Sequence, residues 1–293
     1  MTEPRGLDVL LAASSMAIVP GAYDAIGARL VEQAGFPAAY MTGAGTALAR
    51  GYPDLGLLTM TEMVENAAAM ARSVSIPLIA DADTGFGNEL NVTRCVREYE
   101  VRGVAAIHIE DQLMPKRCGH LDGKEVVSRT EFLAKIRAAV AARSSARFKI
   151  IARTDARAVL GLDEAVWRAN AAFDAGADMA FVEAPQSAHE AALVPRLVAG
   201  PCLLNVVAGG RTPVSDLADA ERMGYRMAIL PALLFLATVD AGDAVLERLK
   251  TTRTAPPARD SIAQLFRRFD AERWESLRSR FLDANPAADV EAP

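Results

Sequence analysis

The sequence predicts an α/β fold, a (β/α)8 barrel followed by an extra C-terminal helical region. Three observations carry this expectation. Short apolar runs recur eight times within about 250 residues, the usual span of such a barrel. The runs do not alternate apolar with polar residues, as expected of parallel strands covered on both faces. Amphipathic helical patterns separate them. A doubly wound open sheet is the competing architecture, but it has fewer strands and carries a glycine-rich phosphate fingerprint after its first strand, where this chain has none.

The eight runs are AIVPGAY (17–23), AAYMTG (38–43), PLIADAD (77–83), AAIHIED (105–111), KIIARTD (149–155), MAFVEA (179–184), CLLNVV (202–207) and MAILPA (227–232). Between them, DAIGARLVEQAG (24–35) and DEAVWRANAAFDAG (163–176) read as helices that stop on glycine. TMTEMVENAAAMARSV (59–74) opens on threonines with glutamates in its first turn, favourable to the helix dipole. GAGTALARG (43–51) is only a partial phosphate-loop match and reads as a loop. A helix over 233–249 completes the eighth unit, and TTRTAPPARD breaks the chain. One further helix is expected over 261–281, with Ile262, Leu265, Phe266, Phe269, Leu277 and Phe281 forming an apolar stripe that covers either its own barrel or a neighbouring subunit. The chain is thus expected to be a single barrel domain over 1–293, with 251–293 as a helical extension.

Hydrophobic residues make up 51% and charged residues 24%, which supports a sizeable core. A net charge of −5 argues against a nucleic-acid-binding surface. No apolar run reaches the roughly 18 residues of a membrane span. The opening MTEPRGLDVLLAASSMAIVPGAYD lacks the basic segment and unbroken apolar stretch of a secretory signal. Cys95, Cys118 and Cys202 are widely spaced and odd in number, so no disulfide framework is implied, and a cytoplasmic location is expected.

In such barrels chemistry gathers at the C-terminal strand ends. There this chain places Tyr40, Thr42, Asp81, Asp83, His108, Glu110, Asp111, Arg153, Asp155, Glu183 and Asn205. Crowded carboxylates raise one another's pKa unless a cation is present. Asp81 and Asp83, read as alternate strand residues, point the same way and with Glu110 make an all-oxygen set suited to Mg²⁺ or Mn²⁺. The competing use of that DAD is hydrogen bonding to loop backbone. A calcium loop is excluded by the glycine at the fifth position of DADTGFGNE.

KRCGHLDGK (116–124) follows strand four. Zinc is disfavoured for want of further soft ligands, and no CxxC pair supports redox chemistry. Cys95 and Cys202 read as core, and His108 as core or as a support to the site. A lone thiol remains beside Lys116, Arg117 and His120. Those cations lower a thiol's pKa, so a proton could pass either way near neutral pH.

Together, GYPDLGLLTM (51–60), DADTGFGN (81–88), HIEDQ (108–112), KRCGHLDGK (116–124), ARTDA (152–156), VEA (182–184) and the TP of GGRTP (209–213) resemble the isocitrate lyase and phosphoenolpyruvate mutase superfamily. The resemblance implies a barrel whose C-terminal helices are exchanged between paired subunits in a homotetramer. It implies a Mg²⁺ site of Asp81, Asp83 and Glu110 with Asp54 beside them, and substrate contacts from Tyr40, Thr42, Gly43, Ala44, Asp54, Gly119 and Asn205. Catalysis falls to Lys116, Cys118 and His120 on a mobile loop, with Arg153 and Glu183. The implied reaction is cleavage of a 2-hydroxy di- or tricarboxylate to a keto acid and a carboxylate, with Cys118 protonating the carbanion.

Phosphorylmutase, oxaloacetate hydrolase and non-catalytic keto-acid-binding roles remain open alternatives. Methylisocitrate lyases resemble one another in a Thr-Glu-Phe-Gly run after the strand-seven Asn, where this chain has Val207 and Ala208. Oxaloacetate hydrolases resemble one another in a Ser where it has Val159. Both departures point to a smaller, methyl-bearing dicarboxylate such as a dimethylmalate.

Overall fold

The structure, a computed structural model, describes residues 6–214 and 216–283. The last residues of the expected extension, 284–293, lie outside them. The chain runs α1 (Leu7–Ala12), β1 (Ala17–Ala22), α2 (Ala25–Gln33), β2 (Ala39–Met41), α3 (Gly43–Ala49), α4 (Met60–Ser73), β3 (Leu78–Asp81) and α5 (Glu89–Val101). It continues through β4 (Ala106–Glu110), α6 (Arg129–Ala142), β5 (Lys149–Thr154), α7 (Ala156–Val159), α8 (Leu162–Asp174), β6 (Met179–Val182) and α9 (Ala188–Leu197). Then follow β7 (Cys202–Asn205), α10 (Leu217–Met223), β8 (Met227–Leu230), α11 (Leu233–Thr252), α12 (Ile262–Arg267) and α13 (Ala271–Asp283).

The eight strands are parallel and close in sequence order, β8 pairing with β1, so the open-sheet alternative is excluded. One residue parity points inward: Ala17, Val19, Tyr40, Ile79, Ala106, Ile151, Met179, Phe181, Leu203, Met227 and Ile229 fill the barrel, joined by Leu7 of α1. The other parity, including Ala80, Ile107, Ile109 and Ile150, packs against the helices. Each large side chain buried this way contributes about 1.5–3 kcal/mol. Helix starts are capped as the sequence suggests: Thr59 and Glu62 form a capping box on α4, and Asp24 caps α2.

Two expectations need correction. GAGTALARG is not a loop, because Gly43–Ala49 form α3, capped by Thr42. Its glycines answer close approaches rather than a turn: a Cβ on Gly43 would lie 2.4 Å from Asp81 Oδ2, and one on Gly45 2.7 Å from Thr42 Cγ2. The segment 261–281 is not one helix either. It breaks between α12 and α13, where Asp270 takes a φ of 64° that no helix continues through.

Internal packing groups the residues up to Val239 as one compact unit and those from Asp240 onward as a second. No described helix is long and apolar enough to cross a membrane.

Candidate active site

Barrel parity builds the site. On several strands the residue two or four places beyond an interior apolar side chain is polar: Asp81 follows Ile79, Arg153 follows Ile151, Glu183 follows Phe181 and Asn205 follows Leu203. His108 and Glu110 follow Ala106 in the same way. Register sets Asp81 beside His108 and Glu110 beside Arg153 on neighbouring strands. The inner face thus changes from apolar to charged at its C-terminal rim, and all of these groups are buried.

Arg153 is the hub. Its guanidinium contacts Glu110 at 3.1 Å, Asp155 at 3.0 Å and Glu183 at 3.5 Å, and it lies 5.0 Å above the Phe181 ring. Burial opposes its charge, but Asp155, Glu110 and Glu183 outweigh burial and hold it firmly cationic. Burial likewise raises Asp155, yet Arg153 and Lys124 bring that carboxyl down to about 2. His108 Nε2 is 2.7 Å from the Tyr40 hydroxyl and 3.4 Å from Asp81. Burial first, then Arg153, push the His108 pKa well down, so the ring is neutral and supports Tyr40 and Asp81 as a hydrogen-bonding group.

The segment between β4 and α6 lies over this rim as a lid. Lys116 Nζ sits 2.5 Å from Asp54 and 3.0 Å from Asp83. Gly119 packs so closely that a Cβ there would be 2.6 Å from Arg153 Nη2 and 2.7 Å from Glu183 Cγ. His120 Nδ1 accepts the Arg211 amide at 3.1 Å, which leaves Nε2 to carry the ring proton, 3.4 Å from Glu183. Cys118 is half-buried between these residues. Burial, then Asp54, raise its pKa against the pull of the His120 amide, Lys116 and Arg153. The expectation of an acidified thiol is therefore reversed: the resting group is the thiol.

The acidic set departs from the expectation too. β3 ends at Asp81, and Asp83 takes a left-handed φ of 46°, so the DAD carboxylates converge through a turn and not by strand alternation. Such a non-glycine backbone costs about 1–3 kcal/mol and recurs at functional sites. The Asp83 amide donates to Asp81 Oδ1 at 2.9 Å, and Gly43 N–H donates to Asp81 Oδ2 at 3.2 Å. Among the described residues no three His, Cys, Asp or Glu side chains are gathered closely enough to hold a metal ion.

Yet both Glu110 oxygens are buried without hydrogen-bond donors. Arg153 reaches Glu110 Oε2 at 3.1 Å as an ion pair, while Asp83 Oδ1 is met by the Lys116 ammonium at 3.0 Å. Burial is the first cause raising both carboxyls. Unfilled oxygen lone pairs at a carboxylate cluster suit a hard divalent cation.

One cavity of about 80 Å³ is lined by Tyr40, Thr42, Ala44, Asp54, Asp81, Lys116, Cys118, Gly119, His120, Arg153, Glu183 and Asn205, all expected from the sequence. Gly43, Asp83 and Glu110 are not among its lining residues. Val207 is in the wall, while Ala208 and Val159 are not. Val159 is 38% exposed on α7, which removes the role expected of it. Pro231, Ala232 and Phe235 complete an apolar side that sequence reasoning missed. The signal was present in the eighth run, MAILPA, whose last residues reach the rim, but they carry no polar group to mark them. Cys95 and Cys202 are buried and free, as expected of core residues.

A charged rim, a lid bearing a protonated thiol and orphaned carboxylate oxygens define an enzyme of the α/β-barrel class. A family model described as phosphoenolpyruvate phosphomutase matches residues 7–250, and this chain belongs to the phosphoenolpyruvate mutase/isocitrate lyase superfamily. It is 49% identical to 2,3-dimethylmalate lyase of Eubacterium barkeri over 78% of this chain and 80% of that one. It is 42% identical to 2-methylisocitrate lyase of Aeropyrum pernix over 86% and 82%. These relatives place it among the superfamily's lyases. Among solved structures, oxaloacetate acetylhydrolase in complex with 3,3-difluorooxalacetate superposes with a TM-score of 0.91, 38% identity and coverage of 95% and 96%. Phosphonopyruvate hydrolase in complex with oxalate and Mg²⁺ superposes with a TM-score of 0.86, 32% identity and coverage of 96% and 100%.

Proposed function

We propose that this chain is a divalent-cation-dependent lyase that splits a carbon–carbon bond of an alkyl-branched 2-hydroxy dicarboxylate into a keto acid and a carboxylate. The observation that carries the reading is the Cys118 thiol, held protonated by burial in the wall of a pocket that it shares with Lys116, Arg153 and Glu183. A protonated thiol is the group required where a departing carbanion must be quenched.

Arg153 and Lys116 face the substrate carboxylates, with Thr42, Ala44, Tyr40 and Asn205 around the keto-acid end. Gly43 acts through Asp81, whose carboxylate its amide orients. Asp81, Asp83 and Glu110 would hold Mg²⁺ or Mn²⁺, in part through water, with Asp54 alongside; the orphaned oxygens of Glu110 support this. When bound, the cation supplies Lewis-acid stabilisation of negative charge developing on a substrate oxygen. Glu183 accepts the substrate's hydroxyl proton, and His120 and Asn205 hold it in place. As the carbon–carbon bond breaks, its electron pair stays on the carbon next to the departing carboxylate, and Cys118 Sγ–H delivers a proton there. Gly119, seated on Arg153 and Glu183, keeps water out at that moment.

Substrate class follows from size and wall chemistry. The cavity, about 80 Å³, is small and suits a compact carboxylate. Val207, Pro231, Ala232 and Phe235 offer methyl groups a dry surface and offer a third carboxylate nothing.

The barrel with its C-terminal extension is proposed to exchange its last helices with a second copy in a cytoplasmic homotetramer. The exposed Ile262, Phe266, Trp274 and Phe281 support that assembly, because such a set of apolar side chains calls for a cover.

The test is a panel of 2,3-dimethylmalate, 2-methylisocitrate, isocitrate, citramalate and oxaloacetate, assayed for keto-acid release with Mg²⁺ and a thiol reductant. Pyruvate and propionate from 2,3-dimethylmalate at the highest kcat/KM is the expected result. Failure of every hydroxy acid ends the lyase reading. Oxalate and acetate from oxaloacetate, with the hydroxy acids inert, replaces it with hydrolysis.

A further inference from the structure

Lys124 is a lysine that neither the pocket nor the proposed chemistry uses, yet its side chain is only 1% exposed. An ammonium taken out of water to that degree is costly unless its donors are matched. Here they are matched by two acceptors from different parts of the fold. One is the Gly119 carbonyl, within the same lid. The other is Asp155 Oδ1 at 3.0 Å, just beyond the end of β5.

The two acceptors belong to different parts of the fold. Asp155 belongs to the barrel: its amide donates to Asp111 Oδ1 at 2.8 Å, and Arg153 Nε donates to its Oδ2 at 3.0 Å. Gly119 belongs to the lid, follows Cys118 directly, and rests against Arg153 and Glu183. Lys124 therefore joins the segment that carries Cys118 to the end of a barrel strand. The tie sits five residues along the chain from Gly119, across a turn where Gly123 takes a φ of 76°. That turn lets the lysine fold back onto the peptide it holds.

We propose that Lys124 is a positioning residue, an electrostatic latch that seats the Cys118–Gly119 peptide on Asp155 and so places the thiol over the pocket. The proposal rests on the lid-and-acid reading of Cys118. Its consequence is specific: without the latch the barrel is intact and the lid spends more time lifted. Cys118 is then more often in water, where its thiolate forms more readily and meets reagents more often.

The test reads that exposure without any substrate. Full-length protein is treated with iodoacetamide at pH 8, and alkylation of each cysteine is followed by peptide mass spectrometry. Cys95 and Cys202, both buried, report whole-molecule loosening in the same tube. Lys124→Met is expected to speed Cys118 alkylation about tenfold, the loss of one charge-assisted hydrogen bond. Cys95 and Cys202 should stay protected. Lys124→Arg, which keeps the charge, should restore most of the protection and most of the kcat lost in the methionine variant.

An unchanged Cys118 rate in Lys124→Met overturns the proposal. A rate that rises equally at all three cysteines overturns it as well, since it marks a structural role alone. If the methionine variant does not fold, Lys124→Gln is read by the same criteria. Because alkylation needs no turnover, a failed substrate panel with a positive Cys118 result removes the lyase reading and leaves the latch.

Discussion

Lys116 Nζ and Asp54 Oδ1 stand 2.5 Å apart, and the same ammonium reaches Asp83 at 3.0 Å, which binds the lid to two barrel loops at once. Burial works against the Lys116 charge, but Asp83, Asp54 and Glu110 overcome it and hold the pKa well above the ordinary lysine value. Lys116→Met leaves two carboxylates without their counter-charge. We expect a loss of about 3 kcal/mol in stability without added metal, as for other broken buried pairs. Mg²⁺ should raise the melting temperature of the variant more than that of the parent, and paired thermal melts with and without the ion check both points.

Cys118→Ser preserves shape and removes the proposed acid. Turnover should fall at least about a hundredfold, the usual worth of a positioned proton donor, with the melting temperature unchanged. Because burial raises the thiol's pKa, the protonated form persists through neutral pH. The parent's rate should therefore hold to alkaline pH and drop only above the ordinary thiol range, near 8.5. A pH–rate profile that falls below pH 7 on its alkaline side would remove Cys118 from the acid role.

Gly119→Ala tests the seat of the lid. The added methyl would meet Arg153 and Glu183 at 2.6–2.7 Å, well inside van der Waals contact, so the lid must lift to admit it. We expect kcat to drop about tenfold or more, as for small misplacements of reacting groups, while thermal stability stays within about 1 kcal/mol of the parent. Steady-state kinetics on whichever panel member is cleaved, beside a thermal melt, separates the two effects.

Far from the pocket, Glu164 joins α8 to α6 and to the barrel. It accepts from Arg129 at 2.5 Å and from Arg168 at 2.8 Å, and Arg168 also reaches Asp111 at 3.1 Å. The Arg129 hydrogen bond, then Arg168, draw the Glu164 carboxyl down from 4.5 to about 2 against some desolvation. A depressed folded-state pKa means the stabilisation is full above about pH 4.5 and lost as pH falls toward 2. Half of the Arg129 side chain is exposed, so screening reduces the effect to about 1 kcal/mol. Glu164→Gln should lower the melting temperature at pH 7 and match the parent at pH 2, as differential scanning calorimetry would record.

Most rim residues were legible because barrel parity is a local property. Once Ile79, Ile151, Phe181 and Leu203 are read as interior, Asp81, Arg153, Glu183 and Asn205 follow two places later. That logic stops where the strand stops. Asp83 lies past the end of β3 and is placed by a left-handed turn, so alternation gave the right neighbourhood for the wrong reason. α3 was illegible for a different cause. Its glycines weaken helix propensity, and only the nearby Asp81 and Tyr23 side chains show why glycine is required there. Lys124 was hidden because both of its acceptors are created by folding.

By itself the sequence determined the barrel, the order of its strands and the identity of the charged rim, since these depend on periodicity and on which residues end each apolar run. Tertiary structure alone decided the state of the rim. Lys116 and Arg117 beside Cys118 argue for a thiolate along the chain, but in the fold Lys116 is committed to Asp54 and Asp83, and burial of the thiol outweighs the remaining cations. A protonation state is set by desolvation and by every charge within a few ångströms, and neither quantity exists until the chain has folded.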